Sequence, residues 1–270
     1  MNIFTLGPIG SYSHQLTQKL FSELIPTFAP TIAEVFEAVN KSKNSFGIVP
    51  LENIIEGSVT ETLECLVELD LKIYDIVTLN INHSLCSKTK NFKKIISHPQ
   101  ALAQCRNYLK KNYKKISPES TTSTSAACQI AAENQDYAAI ASEFTANIYN
   151  LEVITSNISN VANNQTKFAI ICKQPNSKTA LSTLAILTPT NQDEPGLLIK
   201  MLFPFQENQV NLTKIESRPN QKNFNEYIFF IEFEGDARQA RARKILTYLE
   251  KDLQICTIKV LGGQTTNTKF

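Results

Sequence analysis

An α/β domain followed by a smaller βαββαβ unit of ferredoxin-like type is the architecture this sequence predicts, and three observations lead to it. Short apolar runs of strand length alternate with amphipathic stretches through roughly the first two-thirds of the chain. A polar, proline-containing segment at 173–179 then separates two apolar strands. After it, the order strand, helix, strand, strand, helix, strand can be read from the spacing of apolar residues alone.

Taken in order, the chain opens on the strand-like run 1–6, which breaks at Gly7-Pro8. It has no basic region, so it reads as a strand and turn and not as a signal peptide. Thr31-x-x-Glu34 and Ser58-x-x-Glu61 have capping-box form, and Pro99 suits the first turn of a helix. Strands are expected at 46–49, 95–96, 138–141 and 168–171. In the C-terminal unit, 184–187 reads as a strand, and Pro195 opens a helix whose Leu197, Leu198, Met201, Leu202 and Phe205 share a face. Strands at 210–217 and 227–233 flank the polar turn 219–223. Asp236 is then expected to cap a second helix carrying Ala242, Ile245, Leu246 and Leu249, and 255–260 is the last strand. There is no internal repeat and no low-complexity tract.

Composition narrows the function. The 270 residues carry 27 basic and 25 acidic side chains, and a net charge of +2 lacks the basic excess of a nucleic-acid binder. No run reaches the apolar length of a membrane span. Cys65, Cys86, Cys105, Cys128, Cys172 and Cys256 are scattered without a Cys-x-x-Cys pair, which points to reduced thiols in a cytosol.

Five strand-to-helix turns are unusually polar: 10–13, 52–58, 97–100, 121–125 and 141–142. Each alone reads as ordinary helix capping. Together they point to a cleft for a small anionic metabolite, because hydroxyl and amide groups beside free helix N–H groups make anion sites. His14, His83 and His98 lack metal-ligand spacing and are expected to cap helices or face solvent. Dinucleotide, P-loop and Gly-x-Ser-x-Gly patterns are missing. The chemistry therefore falls to Thr, Asn, Gln and carboxylate groups, with no cofactor and no metal.

Six segments then become specific in combination: Gly7-Pro8-Ile9-Gly10-Ser11-Tyr12-Ser13-His14-Gln15; Val49-Pro50-Leu51-Glu52-Asn53 with Gly57-Ser58-Val59 and Thr62-Leu63; Ser97-His98-Pro99-Gln100-Ala101-Leu102-Ala103-Gln104-Cys105; Ala138-Ala139-Ile140-Ala141-Ser142; Asn164-Gln165-Thr166-Lys167-Phe168; and Asn211-Leu212-Thr213-Lys214-Ile215-Glu216-Ser217-Arg218-Pro219. In this order they resemble the prephenate dehydratases that carry a C-terminal ACT domain. The resemblance implies a two-lobed catalytic domain like periplasmic binding proteins at 1–174, with lobe one at about 1–80 and 157–174 and lobe two at about 81–156, and an ACT domain at 182–265. It implies decarboxylating dehydration of prephenate to phenylpyruvate in phenylalanine biosynthesis, under feedback by L-phenylalanine. Arogenate dehydration and a non-catalytic amino-acid sensor stay open as alternatives.

The resemblance also implies roles. Thr166 donates to the leaving oxygen, and Asn53, Gln100 and Asn164 hold the substrate through their amides. Glu52 has two open readings, an orienting group at the site or a structural acceptor at a backbone turn. Ser11, Ser13, Ser58, Ser123 and Thr124 meet the carboxylates, Lys167 keeps the anion-binding charge where the family has Arg, and Phe168 shapes the pocket. Ile54 stands where the family commonly has Ser. Gly196, Leu197, Leu198, Asn211, Leu212, Glu216, Ser217, Arg218 and Pro219 are expected to line a phenylalanine site between subunits of a homodimer or tetramer, with Leu197 in place of the family's alanine. With the catalytic match starting in the first ten residues, the expected form is monofunctional and cytoplasmic.

Overall fold

The structure, a computed structural model, describes residues 1–191, 194–220 and 226–270. The expected turn at 219–223 lies partly outside the described residues. The chain divides into two compact units: 1–63 with 78–168 and 269–270, and 64–77 with 169–268. The second unit is thus larger than the span 182–265.

The first elements are strand β1 (Asn2–Leu6), helix α1 (Tyr12–Leu20), β2 (Thr27–Ala29), α2 (Ile32–Lys41), β3 (Ser45–Asn53), β4 (Gly57–Ser58), α3 (Thr60–Glu68) and β5 (Lys72–Asn80). Then follow β6 (Ser84–Ser87), β7 (Lys94–Ser97), α4 (Pro99–Gln104), α5 (Arg106–Asn112), β8 (Glu119–Ser120), α6 (Thr124–Glu133), β9 (Tyr137–Ala141), α7 (Glu143–Ile148), β10 (Glu152–Thr155) and β11 (Gln165–Cys172).

The first unit holds two sheets, one per lobe. In one, the order is β11-β3-β1-β2, with β1 parallel to both neighbours. In the other it is β10-β6-β9-β7-β8, with β9 parallel to β7 and antiparallel to β6. Ile32, Val35, Phe36 and Val39 form the buried stripe of α2. The second lobe has its own apolar packing: Leu85, Ile95 and Ile140 with Cys105 and Leu109 in one cluster, and Cys86, Ala127, Cys128 and Ala139 in the other. All six cysteines are buried free thiols, and burial pushes Cys86 and Cys105 up to about 12.

The helix starts follow from their caps. Ser11 Oγ accepts the His14 N–H, Thr31 Oγ1 that of Glu34, Ser123 Oγ that of Ala126 and Ser142 Oγ that of Thr145. The expected box at Ser58 is different. Ser58 pairs with Glu52 in β4, α3 opens at Thr60, and the Glu61 carboxylate accepts the Ala33 N–H at 3.0 Å. A strand pairing that local spacing does not reveal has claimed the serine.

The second unit continues with β12 (Ser182–Pro189), α8 (Leu197–Glu207), β13 (Leu212–Pro219), β14 (Tyr227–Glu234), α9 (Ala240–Thr247), a π-helical turn (Tyr248–Asp252) and β15 (Cys256–Gly262). The sheet order β13-β14-β12-β15, antiparallel throughout, is that of a ferredoxin-like unit. Met201 and Phe205 of α8 pack with Ile245 and Leu249 over Ile231 and Phe233. Gly263 is required by close approach, since a Cβ there would lie 1.8 Å from the Ser182 carbonyl oxygen. Lys259 Nζ donates to the carbonyls of Leu66, Val67 and Leu69 at 2.7, 3.1 and 2.7 Å, closing the end of α3 with a positive charge.

Asp236 does not cap α9, whose N-cap is Gln239. Its carboxylate accepts the Ala180 N–H and a two-pronged bond from Arg238 (2.9 and 2.6 Å), which holds its pKa well below the carboxylate range. It anchors the start of this unit's first strand instead.

Candidate active site

A cleft of about 490 Å³ in the first unit is lined from both lobes, a size suited to a small metabolite. Its walls come from the carboxyl ends of β1 and β3, the starts of α1, α4 and α6, and the first half of β11. Of the residues singled out from sequence, Asn53, Ser13, Ser58, Gln100, Ser123, Thr124, Asn164, Thr166 and Phe168 line it.

Ser11, Glu52 and Lys167 are not among the residues that line it, which for Glu52 fits the reading as a structural acceptor. Ser11 Oγ caps α1 and donates to the Leu6 carbonyl at 2.9 Å. In β11, alternate side chains take opposite faces. Thr166 and Phe168 turn to the cleft and are buried, so Lys167 must turn away. The same alternation in β3 separates Asn53 from Glu52, and Lys167 Nζ lies 3.7 Å from a Glu52 carboxylate oxygen.

Asn53 is the best-held side chain of the site. Its Oδ1 accepts the N–H groups of Ile55 (2.9 Å) and Glu56 (3.2 Å), so its Nδ2 faces Asn164 Oδ1 (2.9 Å), the Gln165 carbonyl (3.1 Å) and Thr166 Oγ1 (2.9 Å). Thr166 therefore accepts a hydrogen bond, and among the described residues its own O–H has no protein acceptor. A hydroxyl that accepts one bond donates more strongly in another. The result is a fixed, polarised donor on the wall of a cleft.

Electrostatically the cleft is unusual. Among the described residues lining it there is no Lys or Arg, and Glu56 is the sole carboxylate. An anion here must be held by neutral donors and by the first-turn N–H groups of α6 beside Ser123 and Thr124. Tyr12, His83 and Gln104, given no role at the site from sequence, also line it. His83 is neither a cap nor at the surface; it is buried, and burial lowers its pKa while its bond to Gln104 opposes that. His98 does cap a helix, α4. Among the described residues no three potential ligands cluster around a metal position.

In the second unit, Gly196 precedes α8 at φ 82°, the left-handed region, with Leu197 buried and Leu198 partly exposed. Glu216 to Pro219 belong to the edge strand β13. The Glu216 carboxylate sits 3.4 Å from Lys214 Nζ and 2.8 Å from Arg218 Nε. Asn211 Nδ2 donates to Glu234 at 3.2 Å.

Fold and cleft together define a two-lobed α/β small-molecule domain followed by a βαββαβ unit. The first domain matches the family described as Prephenate dehydratase over residues 3–176, and the second matches the ACT domain over 185–251. This chain belongs to the prephenate dehydratase family. A prephenate dehydratase of Methanocaldococcus jannaschii is 39% identical over 259 residues, covering 92% of this chain and 93% of that protein. A bifunctional chorismate mutase/prephenate dehydratase of Aquifex aeolicus is 38% identical over 262 residues, covering 96% and 72%. The structure of a prephenate dehydratase from Arthrobacter aurescens in complex with L-Phe superposes with a TM-score of 0.86 at 25% identity, covering 98% of this chain and 90% of that one.

Proposed function

We infer that this chain is a prephenate dehydratase working in L-phenylalanine biosynthesis. One observation carries the reading: the Thr166 hydroxyl, locked by Asn53, with its proton free to be donated into the cleft. The prephenate dianion and one proton give phenylpyruvate, carbon dioxide and water. The bond to the ring carboxylate breaks, its electron pair completes the aromatic ring, and the ring hydroxyl departs with the proton as water. Aromatisation supplies the driving force, so the protein need only orient the substrate and stabilise the departing oxygen, and no cofactor enters.

In this reading Thr166 hydrogen-bonds the leaving oxygen and Asn53 positions it. Ser13, Ser58, Gln100, Ser123 and Thr124 meet the carboxylates, and Phe168 packs beneath the ring. Asn164 acts through Asn53. Glu52 and Lys167, paired off the cleft, belong to its support. Arogenate is a second substrate to test, since Glu56 could meet the ammonium that replaces the keto group. Formation of phenylpyruvate from prephenate, and of phenylalanine from arogenate, by the purified chain tests both. No turnover of either would leave a non-catalytic binding protein.

The catalytic part is placed at 1–174 and the regulatory part at 182–265, with L-phenylalanine as effector at 196–198 and 211–219. Support for assembly through the ACT unit comes from apolar side chains left open: Ile199 is 71% exposed, Phe203 50% and Ile215 45%. A dimer or tetramer would cover them, and sedimentation with and without phenylalanine tests it. Six buried free thiols suit a cytosolic enzyme, and among the described residues no helix is long and apolar enough to cross a membrane.

A further inference from the structure

The turn that follows β1 in lobe one is held by hydroxyl groups of lobe two. Thr145 Oγ1 on α7 donates to the Gly10 carbonyl at 2.6 Å, and Ser125 Oγ on α6 donates to the Ile9 carbonyl beside it. Ser125 and Thr145 are each 1% exposed, so water does not compete for these bonds. Each hydroxyl has one proton, which fixes the direction of the bonds around it. With the Thr145 proton on Gly10, the 2.8 Å contact between Ser142 Oγ and Thr145 Oγ1 must be donated by Ser142. With the Ser125 proton on Ile9, the Tyr149 hydroxyl, 3.3 Å away, must donate to Ser125. Two hydroxyl pairs therefore end on consecutive carbonyls of one turn, and a hydroxyl that accepts a bond donates more strongly.

Gly10 makes this approach possible. Its φ of 86° lies in the left-handed region, and a Cβ there would stand 3.0 Å from both Ser125 Oγ and Thr145 Cγ2. His14 Nδ1 accepts the Gly10 N–H at 3.0 Å, so the two polar groups of this glycine are bonded one to each lobe. The His14 ring in turn packs edge-on against Phe28 of its own lobe and Phe144 of α7, with centroids at 4.9 and 5.2 Å.

These bonds adjoin the cleft on both sides. Ser13 lies three residues after Gly10, in the first turn of α1, and Thr124 is the neighbour of Ser125 at the start of α6. Both line the cleft, from opposite lobes. The chain passes between the lobes at 81–83 and 156–164, segments without helix or strand. Such segments permit hinge motion, so the separation of the two walls depends on contacts between the lobes.

We propose that Ser125 and Thr145 are positioning residues that latch lobe two onto the Ile9–Gly10 turn and so hold Ser13 and Thr124 at the separation the substrate needs. The proposal takes the identity of the substrate from the dehydratase reading above. Neither hydroxyl is among the residues that line the cleft, so neither acts by touching the ligand. A substrate that bridges the walls closes an unlatched cleft itself, and its apparent affinity is reduced by the fraction of molecules already in the closed form. Loss of the latch therefore raises KM and leaves kcat at saturation nearly unchanged.

Steady-state kinetics of the full chain with prephenate, paired with amide hydrogen exchange of the ligand-free protein, test it. Thr145→Val keeps the β-branched shape without the donor, Ser125→Ala removes the second donor, and Thr145→Ser retains the hydroxyl. In the folded double variant Ser125→Ala/Thr145→Val, KM should rise more than about 3-fold, to on the order of 10-fold, with kcat within about 3-fold. Exchange across residues 8–14 should quicken with it. Thr145→Ser should stay within about 3-fold of the wild type in both readouts. A double variant whose KM stays within about 3-fold, or whose kcat falls while KM does not move, would overturn the positioning role. Thr145→Ser as impaired as Thr145→Val would do the same. If the double variant does not fold, Thr145→Val with the KM of Thr145→Ser overturns the role, and a KM more than about 3-fold above it supports it. A folded wild type inert towards prephenate would sink the dehydratase reading instead. Exchange alone then decides the latch, and unchanged exchange across 8–14 in the double variant overturns it.

Discussion

The wall of the cleft at Asn53 and Thr166 and the surface at α8 and β13 are opposites in how they are held. In the cleft, the Asn53 amide has a fixed orientation, set by two backbone N–H groups, and the Thr166 hydroxyl proton is left to donate. At α8 and β13, by contrast, large apolar side chains stand open and β13 is an edge strand. Chemistry demands groups placed before the substrate arrives, because reorganisation during the reaction costs rate. The proposed assembly surface has the reverse requirement and stays incomplete in a single chain.

Breaking the first region should have the largest effects. Thr166→Val keeps the β-branched shape but removes the donor, so kcat should fall on the order of 10²-fold or more with KM little changed. Unaltered turnover in a folded variant would remove Thr166 from the chemistry. Asn53→Ala should lower kcat/KM on the order of 10²-fold, and by leaving the Ile55 and Glu56 N–H groups and Thr166 without a partner should also cost about 1–3 kcal/mol in a denaturant titration.

The second region should yield stability first. Leu197 stands where the family has alanine, and restoring Ala would suit a roomier effector turn. Yet Leu197 is buried in the core of the C-terminal unit. Leu197→Ala should therefore destabilise by about 2–5 kcal/mol, whatever it does to phenylalanine affinity measured by calorimetry. Unchanged melting would mean that the site collapses without strain.

Acid separates the regions further. The folded-state pKa of Asp236 is depressed below its ordinary 3.8 by Arg238. Its contribution to stability is thus complete above that value and is lost as pH falls below it towards the folded-state pKa. Asp236→Asn should flatten this limb of the stability profile without touching turnover at neutral pH. The smallest effect is expected at Lys167, turned away from the cleft. Lys167→Arg should change kcat/KM by less than about 3-fold, since anion recognition there does not run through this side chain. A larger change would bring residue 167 back to the substrate.

Much of this protein is determined by its sequence locally. Ser11, Thr31, Pro99, Ser123 and Ser142 start helices because a side-chain oxygen or a missing N–H solves the same problem wherever the chain goes. Apolar spacing likewise sets the order of the C-terminal unit. Asp236 and Ser58 escaped that logic, because a partner elsewhere in the chain outbid the helix end each stood beside. The string from Thr166 through Asn53, Asn164 and Gln104 to His83 was decided by tertiary structure alone. Asn53 and Thr166 are 113 residues apart, and Asn164 and Gln104 are 60 apart. A hydrogen bond depends on distance and direction at the donor and acceptor, and neither leaves a period in the sequence. The residue types that could carry the chemistry are written in the chain; which hydroxyl keeps a free proton exists only once the two lobes' strands and loops are brought together.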